Sequence, residues 1–386
     1  MILTLIDWIL FILLALCVSY LLVYAIASKF YRSPNYPKAG RLHRIAVFFP
    51  AYQEDKVIVD SVRSFLEQDY PKEMYDVYVI SDHMQDTTND ALNRLLAKVL
   101  IADYTNSTKA KALNIAVKTA LPIYDIAVIM DADNVTTANF LSEVNLAYSA
   151  GVKAMQAHRT GKKLDTAIAR LDAVSEEINN GIFRSGHNHL GLSASLSGSG
   201  MAFEYDWFKK AVPSLKTVGE DKELELLLIQ DRIHITYLPH IPVYDEKNQK
   251  KDSIKKQRKR WMITQFDILR LAIQYLQKEG IAHELRNPDL IDEVIQWLLP
   301  PRLLQLAAVF SITFLVTIIC ISSAPKWWVL SLAQMAAMLV PIPKQYMNRS
   351  LLKSLLCLPP LIVSTIGNLF RLKGANKKFI HTKHGE

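Results

Sequence analysis

Cysteine is scarce in this chain: three residues in 386, each inside a strongly apolar stretch (Cys17, Cys320, Cys357). That placement excludes a zinc cluster at the usual spacing and speaks against a disulfide framework, so the three read as small apolar side chains. Neither a Gly-x-Gly-x-x-Gly loop nor a Walker loop occurs, which weighs against a dinucleotide-binding or ATPase fold. The formal charge is +8, but the basic residues do not interleave with exposed aromatics as they would on a nucleic-acid surface. They cluster beside apolar segments, where anionic lipid headgroups are the natural partner and no nucleic acid is expected.

Half of the chain is hydrophobic while 21% is charged. These averages hide apolar ends around a charged middle, the pattern of a part-membrane protein. Residues 2–27 are almost uninterrupted apolar sequence, broken mainly by Asp7, and a helix of that length crosses a hydrocarbon core of roughly 30 Å. A cleaved signal peptide competes, since Ala25-Ile-Ala27 resembles a cleavage site. However, no Lys or Arg precedes the run, which is also too long for a signal core. Lys29, Arg32, Lys38, Arg41 and Arg44 follow it, so the positive-inside rule puts the middle of the chain in the cytosol. Further apolar runs lie at 302–322, 327–343 and 354–370, the last two short and interrupted by Pro341, Pro343, Pro359 and Pro360. A basic tail follows (Arg371, Lys373, Lys377, Lys378, Lys383). Starting and ending in the cytosol, this C-terminal third requires an even number of crossings; two crossings plus one interfacial segment satisfy this. The stretch 266–276 is amphipathic and reads as an interfacial helix.

Between residue 44 and about residue 261, short β-rich runs at 45–49, 77–80, 99–102, 126–130 and 152–156 alternate with helical patterns at 61–68, 88–100, 108–120 and 137–150. Such alternation predicts a mostly parallel sheet with helices on both faces, whose ligands bind outside the carboxyl ends of the strands. Pro50-Ala-Tyr-Gln-Glu54, Ser81-Asp82 and Asp131-Ala-Asp133 each begin where a predicted strand stops, so all three face one crevice.

The candidate chemistry follows from residue types. Asp131 and Asp133, one residue apart at a strand end, can address a hard divalent cation that keeps bonds free for diphosphate; the plain alternative is a solvated loop. Asp82 can accept hydrogen bonds from a base N–H or ribose hydroxyls, whereas Asp86 suits an N-cap for the helix near Thr88. Glu220 and Asp221 open a helical run at 222–229, either complementing its dipole or serving as general base. Gln257-Arg-Lys-Arg260-Trp261 ends a dense basic run. Lys250, Lys251, Lys255 and Lys256 read as a solvated or lipid-facing surface, while Arg260 can bind phosphate and Trp261 can stack on a sugar ring. His187-Asn-His189 has no acidic or cysteine partner nearby in sequence and is not expected to bind metal. The small polar run 193–200 either borders an acceptor or is a plain turn.

The order of these pieces resembles the family-2 glycosyltransferases of the GT-A fold, in the membrane-integrated branch with cellulose, chitin and hyaluronan synthases. The resemblance rests on Pro50–Glu54, Ser81-Asp82, Lys109-Ala-Lys-Ala-Leu-Asn114, Asp131-Ala-Asp133, Ser197-Gly-Ser-Gly-Met201, Gly219-Glu-Asp221 and Gln257–Trp261, which span residues 45–261. It implies an α/β fold of GT-A type with a mostly parallel sheet, flanking helices, and transmembrane or interfacial helices at both ends. Tyr52, Glu54, Asp82, Lys109, Asp131, Gln257 and Arg260 would hold the nucleotide-sugar, Asp133 the Mg²⁺ or Mn²⁺, and Trp261 the acceptor. Asp221 would be the catalytic base, beside Glu220. Two departures stand out: His83 follows Asp82 where many relatives carry a second acid, and the chain has no room for a cyclic-dinucleotide-sensing domain.

The expected organisation is a transmembrane helix (1–28), a cytosolic GT-A domain (43–265), interfacial helices (266–300), C-terminal membrane helices (301–371) and a basic cytosolic tail (372–386). The expected function is inverting, metal-dependent transfer from a nucleotide-sugar, UDP favoured, to a growing β-linked polysaccharide. That would take place at a bacterial cytoplasmic membrane, among membrane lipids and with possible export partners. Addition of one sugar to a lipid-linked acceptor, or a catalytically silent nucleotide-sugar-binding subunit, are the alternatives.

Overall fold

The computed structural model describes residues 2–247, 251–280, 284 and 286–369, with side chains for all of these except 3, 251–256, 258, 368 and 369. In chain order the elements are α1 (Ile2–Ala27), β1 (Ile45–Tyr52), α2 (Ile58–Phe65), β2 (Tyr75–Asp82), α3 (Asp86–Arg94), β3 (Lys98–Ala102), α4 (Lys109–Thr119), β4 (Ile126–Ile129) and β5 (Val135–Thr136). There follow α5 (Phe140–Ser149), β6 (Ala154–Gly161), α6 (Ala167–Asn179), a π-helical segment Asn180–Gly186, β7 (Met201–Glu204), α7 (Tyr205–Ala211), α8 (Glu220–Gln230) and β8 (Ile235–Asp245). The rest is helical: α9 (Lys251–Glu279), α10 (Pro288–Leu298), α11 (Arg302–Ile319), α12 (Ala324–Leu339), α13 (Arg349–Leu355) and α14 (Leu358–Leu369).

Successive side chains of a strand point to opposite faces, so a strand buried on both faces reads as a continuous apolar run. β1 behaves this way. Ile45, Val47 and Phe49 pack in one layer with Phe65 of α2 and Phe140 of α5. Ala46 and Phe48 pack in the opposite layer with Leu113 and Ala116 of α4 and Phe208 of α7. The sheet order is β3-β2-β1-β4-β7-β6-β8-β5. Its first half is parallel, as the alternation predicts. Beyond β4 the sheet is mixed, because β7 pairs antiparallel with both β4 and β6 while β6 and β8 run parallel. β7 and β8 were not anticipated: one is four residues long, and the other is broken by Pro239 and Pro242.

One helix is shorter than the pattern suggested. The expected span 88–100 stops at Arg94, because Leu96 adopts a left-handed φ of 63° that turns the chain into β3. Asp86 is not the N-cap; Gln85 occupies that position, and Asp86 lies in the first turn. The bracing carboxylate is Asp55, which accepts from the Gln85 N–H at 2.8 Å and the Thr88 hydroxyl at 2.7 Å.

The terminal helices are not appended loosely. The inner end of α1 buries Leu21, Tyr24 and Ala25 against Ile168, Ala173 and Ile178 of α6 and Ile182 of the π-helical segment. Gly186 allows that contact, since a Cβ there would strike the Tyr24 carbonyl. Farther out, Val18 packs with Val309 of α11 and with Trp327 and Leu330 of α12. Asp7, the polar break in α1, accepts from Trp327 Nε1 at 2.7 Å and pairs with Lys326. Among the described residues two helices are long and apolar enough to cross a membrane, Thr4–Ala27 and Arg302–Ile319; the pair Arg349–Leu355 and Leu358–Gly367, bent by 42°, would make a third if it is one span. The stretch expected to be interfacial falls in α9, where Ile268 and Ala272 are buried against α8 and α10 while Phe266 and Ile273 stay exposed. The basic tail after Phe370 and Lys250 lie outside the described residues, and Lys251, Lys255 and Lys256 belong to α9 without described side chains.

Candidate functional site

The carboxyl ends of β1, β2 and β4 open into one cavity of about 490 Å³. β1 contributes Pro50, Tyr52 and Glu54, β2 contributes Asp82, and the β4 end contributes Asp131 and Asp133. The backbone bends sharply where two of these strands stop: Gln53 and His83 both have positive φ, 53° and 56°. Non-glycine residues held there carry strain, which concentrates at functional sites. The bend is braced by the Gln53 N–H donating to the Asp82 carbonyl at 3.1 Å. His83 Nδ1 meets the Asp82 carboxylate, and its ring lies 5.5 Å from that of Tyr52. The residue that departs from the family pattern is therefore part of the Asp82 wall.

Asp133 is buried, and its Oδ2 accepts from the Glu246 N–H at 2.8 Å. Asn134, fully buried, accepts from the Asp131 N–H at 2.9 Å through Oδ1 and donates to Asp133 Oδ1 at 3.2 Å. That bracket fixes both carboxylates on a turn that a solvated loop would leave loose.

Lys109 links the two acidic groups. Thr108 caps α4 by accepting from the Lys111 N–H at 3.2 Å, which starts the helix with Lys109 facing the cavity. Its ammonium donates to Asp131 and to the Gly198 carbonyl at 2.7 Å, and lies 3.6 Å from Glu220 Oε1. Burial alone would lower the lysine pKa, but Asp131 and Glu220 outweigh it and raise it. Gly198, at φ +84°, leaves room beside Asp221 Oδ2, Lys109 Nζ and Glu220 Oε1. Glu220 and Asp221 form the first turn of α8. Burial pushes the Glu220 carboxyl up to about 7, with Asp221 adding to the rise and Lys109 opposing it.

The third wall is α9. Gln257, Arg260, Trp261 and Thr264 recur at three- and four-residue spacing, so one helix face presents all four to the cavity. Gly219 sets how closely that face approaches, since a Cβ at Gly219 would overlap Thr264 Cγ2. Trp261 remains 46% exposed, leaving a ring face for a ligand.

All eleven expected site residues (Tyr52, Glu54, Asp82, Lys109, Asp131, Asp133, Glu220, Asp221, Gln257, Arg260, Trp261) line this single cavity. The loop residues Ser195–Gly198 line it too. Asp86 is exposed and absent from the lining. His187 lies elsewhere: fully buried, it bonds to Asp292 at 2.9 Å, shares a hydrogen bond with Tyr20 and stacks on Tyr24. Its acidic partner is 105 residues away in sequence, and the group ties α1 to α10.

Two contributors were missed. Arg159 grips Asp245 Oδ2 at 2.8 Å, donates to the Ser197 carbonyl at 2.7 Å and approaches Asp131 Oδ2 at 3.9 Å. It follows the predicted strand 152–156, so the rule that sites lie at carboxyl ends of strands could have flagged it. Glu225 accepts from the Leu196 N–H and from Lys222 at 2.8 Å, clamping the Ser195–Gly198 loop onto α8. Only its place on a buried helix face reveals that.

A hard divalent cation suits this donor set. Asp131 and Asp133 offer carboxylate oxygens from an oriented turn, and Mg²⁺-type sites commonly use one or two carboxylates plus substrate phosphates. Among the described residues no group of three or more His, Cys, Asp or Glu could hold a metal unaided, so a cation here would complete its shell with ligand oxygens.

The α/β sheet thus gathers strand-end carboxylates, a buried ammonium and an Arg-Trp helix face around one cavity. A family model described as "Glycosyltransferase like family 2" matches residues 43–264, more than half of the chain, and the chain belongs to that family. The Bacillus subtilis (strain 168) protein "Probable glycosyltransferase YdaM" is 22% identical over 256 residues, covering 63% of this chain and 61% of that one. The match thus spans less than two thirds of that relative. Among solved structures, the mannosyltransferase PcManGT from Pyrobaculum calidifontis, in complex with GDP-Man and Mn2+, aligns with a TM-score of 0.52 at 17% identity, over 85% of this chain and 96% of that one. S. aureus TarS 1-349 aligns with a TM-score of 0.45 at 16% identity, over 86% and 90%. The fold is of GT-A type.

Proposed function

We propose that this glycosyltransferase is an inverting, metal-assisted enzyme that moves a sugar from a nucleoside-diphosphate sugar, with UDP favoured, to an acceptor hydroxyl at a membrane, extending a β-linked polysaccharide. One observation carries this reading. The cavity that collects every expected site residue also reaches Leu21 of α1 and Arg302 and Gln305 of α11, the two helices apolar enough to cross a membrane. The expected donor-binding residues and these two apolar helices share one space.

Asp82 would accept from the nucleotide base or ribose, with Tyr52 and Glu54 beside it. Asp133, with Asp131, would hold Mg²⁺ or Mn²⁺, which supplies charge stabilisation at the diphosphate. Gln257 and Arg260 would close over the diphosphate, and Trp261 would stack on the acceptor. Asp221 takes the proton of the acceptor hydroxyl. The acceptor oxygen then bonds to the anomeric carbon as the bond from that carbon to the diphosphate breaks, so an α-linked donor gives a β-linked product. Glu220, held near its ionisation point and tied to Lys109, tunes the charge around Asp221. The Pyrobaculum structure with GDP-Man and Mn2+ supports a nucleotide-sugar donor and a divalent metal. The basic cluster after α1 supports a cytosolic catalytic domain at a bacterial cytoplasmic membrane.

The opening toward α1 and α11 equally favours one transfer onto a lipid-linked acceptor. A silent subunit is disfavoured, since Asp133, Asp221 and Arg260 remain gathered in one cavity. The test is nucleoside-diphosphate release from a panel of UDP- and GDP-sugars by membranes containing the protein, with Mg²⁺ or Mn²⁺ and then with chelator. Release from one donor that stops with chelator is expected, and product size then separates polymer from glycolipid. Silence with every donor, native lipids and acceptors present, would overturn the reading.

A further inference from the structure

His83 takes no part in the transfer chemistry, yet the fold holds it in one place. Its backbone is left-handed, with φ 56°, a conformation that costs a non-glycine residue. Two hydrogen bonds pin the chain on either side of it. The Gln53 N–H donates to the Asp82 carbonyl at 3.1 Å, and the Gln85 N–H donates to Asp55 Oδ1 at 2.8 Å. The turn brings the imidazole back onto its own neighbour, with Nδ1 2.5 Å from Asp82 Oδ1. The same ring lies 5.5 Å from that of Tyr52, so it stands between two side chains that line the cavity.

A carboxylate oxygen accepts, so Nδ1 is the donor of this bond. Asp82 ends β2 and lines the cavity, with a side chain 4% exposed. One of its two oxygens is therefore occupied before any ligand arrives. Among the described residues nothing donates to the other, Oδ2. The carboxylate offers a ligand one oxygen, not two.

Nucleotide bases differ in what they ask of such a group. Guanine presents two adjacent donors, N1–H and the N2 amine, which match both oxygens of an open carboxylate. Uracil presents one, N3–H. With Oδ1 already bonded, the second donor of guanine would be buried without an acceptor, and a donor left that way loses its hydration without return. Rejection of a wrong ligand by an unpaired polar group is a general route to specificity.

We propose that His83 sets the base preference of the donor site. By holding Asp82 Oδ1 it leaves one acceptor oxygen, which admits a base with a single donor at that edge, as in a uracil nucleotide, and rejects guanine. The inference rests on the transferase reading, in which Asp82 meets the base, and names the residue behind the choice of nucleotide.

The experiment uses the full chain purified in detergent, with Mn²⁺ and three probes: UDP, GDP and inosine diphosphate. Hypoxanthine keeps the size of guanine and its N1–H but lacks the N2 amine, so it separates donor count from ring size. Dissociation constants are read by calorimetry for the wild type and for His83→Gly, which removes the imidazole and is at ease at positive φ. The wild type should bind UDP most tightly, and inosine diphosphate more tightly than GDP. His83→Gly should move the balance between GDP and inosine diphosphate toward GDP by roughly tenfold or more, the worth of one hydrogen bond to a charged group, while UDP shifts less. A wild type that prefers GDP to inosine diphosphate would overturn the proposal even if the variant fails to accumulate. An unchanged balance in His83→Gly, or a parallel loss for all three nucleotides as from a merely structural role, would overturn it too. Failure of every nucleotide to bind the wild type would instead remove the transferase reading beneath it.

Discussion

The two ends of the cavity are built differently. At the strand ends, carboxylates and cations are interlocked: Lys109 spans Asp131 and Glu220, Arg159 ties Asp245 to the Ser197 carbonyl, and Asn134 brackets Asp131 and Asp133. At the α10–α11 end, Arg184 donates to the Ser195 carbonyl and Arg302 to Asn179 Oδ1 beside the Phe183 ring. The first end is a preorganised charge network. The second is lined by the Phe183 and Trp297 rings beside paired arginines.

Substitutions can break this comparison, beginning with the largest effect. Asp221→Asn should lower transfer by about 10³-fold, within the range for removing a general base, while donor binding and thermal midpoint stay near wild type. A variant that keeps more than a tenth of the activity would move the base elsewhere, with Glu220 the first candidate. Lys109→Met leaves Asp131 and Glu220 without their shared cation. Breaking a buried pair this way costs about 3 kcal/mol, read as a lower midpoint in thermal unfolding, and donor KM should rise with it. An unchanged midpoint would mean that solvent already screens the triad.

Glu220 offers a test with a definite sign. Its carboxyl titrates at about 7 in the folded chain against an ordinary 4.5. The folded state therefore holds the proton longer, and wild-type stability falls as pH rises from 4.5 to 7 and stays lower above that. Glu220→Gln has no such loss. It should match the wild type near pH 4 and exceed it at pH 8; parallel stability curves across that window would refute the burial argument. Gly219→Ala sharpens the comparison with the smallest effect. Its Cβ forces α9 away from α8 at Thr264, costing about 1–2 kcal/mol. Because Gln257, Arg260 and Trp261 share that helix face, donor KM should worsen more than the midpoint falls. Matching losses in the two would mean α9 does not position them.

Much of the strand-end half was legible in the sequence. Apolar runs buried on both faces announce strands, and a carboxylate directly after such a run must lie at the crevice, so Asp82, Asp131 and Asp133 could be named from local pattern alone. The helix face Gln257–Trp261 was legible for the same reason, through three- and four-residue spacing. Arg159 sat in plain reach of that rule and was passed over. Glu225 and Asn134 act through contacts whose partners no local window contains, and His187 looked partnerless because Asp292 is remote in sequence.

The sequence by itself determined the α/β alternation, the apolar ends and the acidic strand ends, because periodicity and burial are set by neighbouring residues. Only the tertiary structure decided that β7 and β8 complete a mixed sheet and that α1 and α11 wall the same cavity as the strand-end carboxylates. It alone also buried Gln305 at the far end. Those facts depend on elements hundreds of residues apart meeting at one place, and packing of that range leaves no signature in a local run of side chains.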